Sequence, residues 1–184
     1  MMGRTHIVLG ISTLWIFEVG RPLLHDGIGA QSLVPCICMA TFGALLPDLD
    51  ARVSLLQNLS VGGVRPFVLP ARIFHHSLGH RGAMHSLLAL FCVGVIALPL
   101  FTGNAWAGVS LLLGYGSHLA GDACTKRGVP LFYFVSQRSR RAVHLLPRSW
   151  CLSTGSLAEE GIFVVVAMGA MALLLRVLFR EVAL

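Results

Sequence analysis

Long apolar stretches separated by short polar segments are the main pattern of this 184-residue chain. A membrane-spanning helix requires about 20 predominantly apolar residues. From Gly82 to Gly121, forty consecutive residues include no Asp, Glu, Lys or Arg. That stretch is too long for one span, and segment 99–104, which contains proline, glycine and asparagine, is typical of a turn. The pattern therefore predicts two helices joined as a hairpin.

Shorter apolar runs predict three further membrane helices. The first run is the weakest because it is short and contains Glu18. A cleaved signal peptide is the alternative there, but no convincing small-residue cleavage site follows. We therefore expect an all-α, polytopic membrane bundle of about five transmembrane helices, forming a single domain over residues 1–184. The predicted spans are residues 5–20, 27–47, 83–101, 105–124 and 161–175.

The composition supports a lipid-facing exterior. Hydrophobic residues make up 55% of the chain, charged residues only 12%, and the mean hydropathy is +0.78. Soluble domains carry about 25% charged residues, so this chain has too little polar surface to cover a water-soluble globule. The five cysteines form no CxxC pair and are odd in number, so we expect free thiols or small packing residues.

The basic residues predict how the chain is oriented in the membrane. In a five-helix threading, eleven of the 14 Lys and Arg residues fall on the face that holds the N-terminus, which makes that face cytoplasmic. We expect anionic lipid headgroups as partners there and no nucleic acid, since no aromatic interleaving accompanies the arginines. The eleven are Arg4, Arg52, Arg65, Arg72, Arg81, Lys126, Arg127, Arg138, Arg140, Arg141 and Arg148; the other three are Arg21, Arg176 and Arg180.

Imidazole and carboxylate side chains gather at the ends of the predicted helices. Ionisable groups are costly at membrane depth, so they need a partner or a function. Because the chain is predicted to run up and down, these ends would all meet at the cytoplasmic face. The convergence predicts a metal site there. Its candidate ligands are His6, Asp48, Asp50, His80, His85, His118 and Asp122.

The spacing within some pairs of these residues supports a metal site more strongly than the spacing within others. His118 and Asp122 are four apart, so they share one face of a helix. His80 and His85 are five apart, about 140° around a helix, and converge only if His80 precedes the helix. Mixed imidazole and carboxylate ligands favour Zn²⁺, Mn²⁺ or Fe²⁺ over Ca²⁺. Seven candidates exceed the four ligands of a closed structural zinc, so we expect one or two divalent ions, with zinc foremost.

Taken in order, these motifs resemble the YdjM family over most of the chain. Its members are inner-membrane proteins described as predicted metal-dependent hydrolases, and some are linked to the LexA damage response. The resemblance implies a multi-pass protein of the cell inner membrane with hydrolase activity. It also suggests kinship with zinc-dependent phospholipase C and P1-type nucleases. The matching motifs are Thr5-His6, LPDLD at 46–50, HRGAMHS at 80–86, GSHLAGD at 116–122 with Thr125 and Gly128, and Thr154-Gly155-Ser156 before Glu159.

The expected function is metal-dependent hydrolysis of a phosphoester, such as a phospholipid headgroup, at the cytoplasmic membrane face. Metal-bound water would supply hydroxide, and Arg81 would offset charge on a transferred phosphoryl oxygen. Glu159, which lies in the last family motif, would act as general base. The alternative is a non-catalytic membrane module that binds a regulatory protein partner and holds a structural metal. Transport ranks last because the polar groups lie at helix ends rather than midway through spans.

The same residues also have structural interpretations. His118 and Asp122 could be a hydrogen-bonded pair that joins two helices. Asp48 and Asp50 could be solvated carboxylates where a helix ends, and Arg81 could anchor the chain at the lipid headgroups. The metal interpretation therefore requires that the side chains meet in one place.

Overall fold

The computed structural model describes residues 1–20, 28, 30–51, 54–60, 62–69, 82–135 and 141–182. In this part of the chain the secondary structure is helical, and the β-structure is limited to isolated bridges such as Thr125–Leu152 and Val129–Val143. The predicted all-α class is thus confirmed. The helices are α1 (Gly3–Val19), α2 (Ala30–Leu45), α3 (Leu55–Asn58), α4 (Leu87–Leu100), α5 (Ala105–Ala123) and α6 (Leu157–Val182), with 3-10 turns at Leu46–Asp50, Ala83–His85 and Thr102–Asn104.

Fewer helices can cross a membrane than the sequence predicted. Among the described residues, two segments are long and apolar enough, Gln31–Leu49 and Leu157–Arg176. A third span results if α4 and α5 count as one bent element, because the chain turns by 83° between them. A helix rises 1.5 Å per residue, so the 14 residues of α4 cover about 21 Å of a hydrocarbon core that is about 30 Å thick. The count of five transmembrane helices was therefore wrong, and the described residues support two or three.

Glycines let three helices meet with their backbones in contact. A Cβ added at Gly114 in α5 would overlap the carbonyl oxygen of Ala40 in α2. Likewise, a Cβ at Gly43 in α2 would overlap the carbonyl oxygen of Leu111 in α5. In α1, a Cβ at Gly10 would lie 3.0 Å from the Ala40 oxygen. Such close approach at small residues is a recurrent way of packing helices in membranes. It fixes α1, α2 and α5 relative to one another.

The outer faces of the helices are apolar, as a lipid-facing surface requires. In the span Leu157–Arg176, only 11% of the residues are buried within the protein. The Val165 and Met168 side chains of α6 are 69% and 68% exposed, and Phe91 of α4 is 66% exposed. These faces would be unfavourable in water and favourable against lipid tails.

The cysteines belong to neither group of side chains that could hold a metal ion among the described residues. All five are free thiols, as predicted, and Cys36 and Cys151 are buried. Burial raises the pKa of the Cys124 thiol, which lies just after α5, and the nearby Cys151 raises it further.

Candidate metal centre

Five ionisable side chains meet at the ends of four helical segments. His6 lies near the start of α1, Asp48 in the turn after α2, His85 in the turn before α4, and His118 and Asp122 near the end of α5. Four of them are at most 1% exposed, whereas the Asp48 side chain is 18% exposed. These five belong to the seven ligands predicted from the sequence. We call them the His/Asp cluster.

Two of these side chains, those of Asp48 and His85, lie in short 3-10 turns next to α-helices rather than in the helices themselves. The 3-10 turn that follows α2 contains Pro47, which has no N–H to continue an α-helix, and it carries Asp48. Ahead of α4, Ser86 caps the helix, because its Oγ accepts a hydrogen bond from the Ala89 N–H at 3.2 Å. The cap ends the preceding turn Ala83–His85, which holds His85 against α5.

The donor atoms around His118 are spaced as the ligands of one small ion would be. Its Nε2 lies 3.3 Å from the Nε2 of His85. The same atom lies 3.8 Å from Asp48 Oδ1 and 3.9 Å from Asp122 Oδ2. The His85 Nε2 lies 3.4 Å and 3.9 Å from those two oxygens. Four ligands bound to zinc at 2.0–2.1 Å lie about 3.3 Å apart at the corners of a tetrahedron. The five separations equal or slightly exceed that edge, so a small divalent ion fits this donor set.

His6 extends the cluster on the other side of His118. The two rings stack with their centroids 3.7 Å apart, and the His6 Nε2 lies 3.3 Å from Asp122 Oδ1. Ligand atoms of His6, His118 and Asp122 lie within 4.8 Å of one another, and so do those of Asp48, His85 and His118. The two groups share His118. The arrangement therefore offers ligands for one ion or for two adjacent ions.

A backbone carbonyl fixes the tautomer of His118. Its Nδ1 lies 2.7 Å from the Ala44 oxygen, and a carbonyl oxygen only accepts, so Nδ1 carries the hydrogen and donates. In a neutral ring the Nε2 then presents its lone pair to the cluster. Metal-binding histidines commonly donate their second ring N–H in this way. The last turn of α2 thus orients the imidazole at the centre of the cluster.

Two hydroxyl groups fasten the segments that carry the cluster. The Thr125 Oγ1 donates to the Asp122 carbonyl oxygen at 2.7 Å, which closes the end of α5. The fully buried Tyr115 donates from its hydroxyl to the Met84 carbonyl oxygen, within the turn that carries His85. Both bonds restrain the backbone that carries the candidate ligands Asp122 and His85.

Comparison with known proteins identifies the family of this chain. A family model described as "YdjM inner membrane protein" matches residues 1–183. The chain belongs to the YdjM family. The match covers every residue of the His/Asp cluster, and the resemblance proposed from the motifs is confirmed.

Two relatives illustrate the similarity. The chain is 30% identical over 164 residues to "Uncharacterized protein YvsG" of Bacillus subtilis, which covers 87% of this chain and 86% of that protein. It is 35% identical over 114 residues to "Inner membrane protein YdjM" of Escherichia coli, which covers 59% of this chain and 54% of that protein. The chain thus spans about half of the E. coli protein and most of the B. subtilis one. No solved structure matches the chain.

In this YdjM-family chain, Glu159 is engaged in hydrogen bonds rather than facing open space. The side chain is fully buried at the start of α6. Its Oε1 accepts from the Met2 N–H at 2.6 Å, and its Oε2 accepts from the Gly155 N–H at 2.7 Å. Since both oxygens are used, the geometry favours a role in positioning the N-terminal segment of α1. The general-base role expected from the family motif receives no support from these contacts.

Some predicted site residues lie outside the described part of the YdjM-family chain. His80, a predicted ligand, and Arg81, the predicted phosphate-binding cation, are among them. The side chain of Asp50 is also outside the described part, although its backbone ends the 3-10 turn Leu46–Asp50. Of the HRGAMHS motif, the described portion begins at Gly82 and includes His85.

One feature of the YdjM-family site was missed in the sequence. A cavity of about 500 Å³ lies beside the cluster, and its walls include Asp48, Arg4 and Arg127. The Met1 amino group, also in these walls, lies 2.5 Å from Asp122 Oδ1. From the sequence, both arginines were interpreted only as orientation signals. The signal that could have identified Arg127 is its position five residues after the candidate ligand Asp122, just beyond the end of α5.

Proposed function

We propose that this chain is a membrane-bound, metal-dependent hydrolase that cleaves a phosphoester, with a phospholipid headgroup as the substrate class. The observation that carries the proposal is the spacing of 3.3–3.9 Å among the donor atoms of His118, His85, Asp48 and Asp122. Imidazoles and carboxylates are the usual ligands of catalytic zinc and of non-haem iron, and an ion that takes three of these four groups keeps a position open for water. Membership of an inner-membrane protein family supports the membrane part of the proposal.

The protein's own groups would prepare the site for hydrolysis. When bound, a divalent ion lowers the pKa of water toward about 7 and so supplies hydroxide at neutral pH. Asp48, as the partly exposed member of the cluster, would mark the side from which water and substrate enter. The buried imidazoles of His6, His85 and His118 would close the opposite side against water. Arg81, outside the described residues, stays a proposed partner for phosphoryl charge.

The lipid character of the substrate and the cytoplasmic orientation belong to the same proposal. The outer faces of α4 and α6 are apolar, so the site would lie at the end of a lipid-embedded bundle. Arg4 and Arg127 lie in the cavity beside the cluster, which is consistent with the basic, cytoplasmic end of a membrane protein. Anionic headgroups at that surface would be attracted to the same charges.

Metal content and hydrolysis, measured on the same preparations, test the proposal. We expect zinc, manganese or iron to copurify with the wild-type chain, and the chain to hydrolyse at least one phosphoester in a panel of phospholipids and soluble analogues. Loss of one ligand should lower metal affinity by at least tenfold, as loss of supporting contacts alone costs about 10–100-fold. Asp122→Asn and His118→Gln should therefore lose both metal and activity.

Arg148→Gln is the control, because Arg148 is exposed and lies outside both the cluster and the cavity beside it. It should keep wild-type metal content and rate. The proposal fails if no such metal copurifies and Asp122→Asn hydrolyses the panel as fast as the wild type.

A structural metal in a non-catalytic membrane module is the second candidate. It is favoured by the burial of four of the five cluster residues, since closed sites hold structural ions. In that case the ligand variants would lose metal and unfold, whereas the wild-type chain would show no hydrolysis of any substrate in the panel. Binding of a regulatory protein partner would then be its expected role.

A further inference from the structure

The cavity beside Asp48 is the open side of the His/Asp cluster. Its volume of about 500 Å³ lies in the range of small-molecule sites, about 300–1,000 Å³. Its walls include Arg4, Asp48, Ser54, Arg127 and Thr154, and we call it the Arg127 cavity. A ligand in it would therefore lie next to the one cluster residue that is partly exposed.

The positive charge of the Arg127 cavity is available to a ligand. Among the described residues, no carboxylate forms an ion pair with Arg127, whereas Arg4 is paired with Glu160. A smaller cavity of about 220 Å³ shares Arg127 and Thr154 with the first and adds Lys126. Arg127 thus borders the open side of the cluster without an anionic partner among the described residues, and Lys126 lines only the neighbouring smaller cavity.

A buried hydroxyl in the same wall is unused. Ser54 is 6% exposed, and its Oγ has no hydrogen-bond partner among the described residues. A buried polar atom without a partner costs free energy, so such groups usually have a water or ligand to bind. With the exposed Thr154, it places two hydroxyl groups in the walls that hold Arg127; the Ser54 Oγ lies below the cavity surface and reaches a ligand only by rotation about its Cα–Cβ bond.

The turn that carries Arg127 is held in place. The Lys126 N–H donates to the Leu152 carbonyl oxygen at 2.9 Å, which ties the turn to the strand-like segment before Ser153 and Thr154. Gly128 closes the turn with φ +65°, a conformation that other residues rarely adopt. A Cβ there would also come within 2.7 Å of the Val143 carbonyl oxygen. The backbone that carries the Arg127 side chain therefore needs no rearrangement when a ligand binds.

We propose that the Arg127 cavity binds the phosphate group of the substrate, with Arg127 as the principal cation and Ser54 and Thr154 as hydroxyl donors. The planar guanidinium matches two phosphate oxygens at once, which an ammonium does not. The apolar side chains of Leu45 and Leu55 in the same walls would contact the carbon part of the ester. This inference rests on the proposed hydrolase function, because it places the phosphate beside Asp48.

Binding of two phosphate esters to the zinc-loaded full chain tests the inference. The measurement uses a maltoside detergent, which carries no phosphate, and compares glycerol 3-phosphate with phosphatidic acid in mixed micelles. Arg127→Gln should weaken binding by about tenfold to a hundredfold, the usual effect of a hydrogen-bonded charge. Arg127→Lys should lose less, because it keeps the charge but not the planar fork. The control Arg148→Gln removes an exposed arginine outside the cavity and should bind as the wild type does.

The two ligands distinguish the sources of the phosphate group. An effect of Arg127→Gln on phosphatidic acid alone would identify a lipid headgroup, and an effect on glycerol 3-phosphate would identify a soluble ester. Equal binding by Arg127→Gln and Arg148→Gln, or no binding of either ligand by the wild type, would overturn the inference. The zinc content and activity of each sample distinguish failure of the cavity inference from failure of the hydrolase proposal. If the protein is metal-loaded and active but Arg127→Gln binds the esters as the wild type does, only the cavity inference is contradicted.

Discussion

Glu159 shows how one residue can organise a site without touching it. Its two carboxylate oxygens accept the backbone N–H groups of Met2 and Gly155. This joins the start of α1, four residues before His6, to the start of α6. Its neighbour Glu160 instead pairs with Arg4 at the surface, where both side chains are more than one third exposed. The two adjacent glutamates therefore differ in their partners: Glu159 binds backbone N–H groups, and Glu160 binds a side chain at the surface.

The substitution Glu159→Gln should destabilise the protein more than Glu160→Gln. The first replaces a charged acceptor of two partly buried hydrogen bonds and puts an NH2 donor where one oxygen was, which should cost about 1–3 kcal/mol. The second removes an exposed ion pair, worth about 1 kcal/mol or less. Thermal unfolding in detergent measures both. Equal melting temperatures for the two variants would contradict a positioning role for Glu159.

Much of the cluster could be predicted at the scale of residues. His118 and Asp122 stand out because ionisable groups in apolar helices are costly, and their spacing of four places them on one face. The Glu159 contacts could not be predicted, because their donors are backbone N–H groups that any residue except proline supplies. Arg127 was missed because an arginine near a helix end is equally typical of membrane orientation and of ligand binding.

The contact between α2 and α5 places the cluster at the scale of helices. Gly114 and Gly43 let the two backbones touch, and the Ala44 carbonyl that orients His118 lies one residue after Gly43. The spacing between the helices therefore sets the distance from Asp48, after α2, to His118 on α5. A larger side chain at this contact would separate the two ligands.

The substitution Gly114→Ala should destabilise the protein and weaken metal retention. Its Cβ would overlap the Ala40 carbonyl oxygen, and overpacking typically costs about 1–3 kcal/mol. Gly116→Ala is the matched control two residues away on α5. Nothing lies within 4 Å of its added Cβ, so it should be neutral or stabilise by up to about 1 kcal/mol, the helix propensity gain. Melting temperature and metal content are the measurements, and an unchanged Gly114→Ala variant would contradict the backbone contact.

The helices themselves were predictable, but their relation to the membrane was not. Each of the five predicted spans overlaps a helix of the structure, because long apolar runs form helices where backbone polar groups must be paired. The number of spans depends on helix length and on the angle between neighbours. The 83° angle between α4 and α5 is not specified by a run of apolar residues.

At the scale of the whole molecule, the cluster links four separate segments of the chain. An ion bound there would connect α1, the turn after α2, the turn before α4 and α5. A ligand that binds only the folded state adds stability by mass action. Metal binding should therefore be visible in the stability of the entire bundle and not only in catalysis.

Removal of the metal should lower the melting temperature of the wild-type chain. At a free metal concentration a thousand times the dissociation constant, the expected stabilisation is about 4 kcal/mol. A chelator should abolish it, and added zinc should restore it. Asp122→Asn provides the control and should respond less to both treatments, since even a tenfold loss of affinity reduces the stabilisation to about 2.7 kcal/mol. Identical melting curves with chelator and with zinc would exclude an ion that joins these segments.

The hydrogen bond from His118 to Ala44 also limits how ions could share the cluster. With Nδ1 committed to that carbonyl, the ring keeps one lone pair, and one lone pair serves one ion. Carboxylates such as Asp122 can bridge two ions, but this imidazole cannot. If two ions bind, one ion is bound by His118, and the other has only the remaining imidazoles of the cluster as nitrogen donors. The two would then differ in affinity, and singly loaded protein would dominate over a range of metal concentrations.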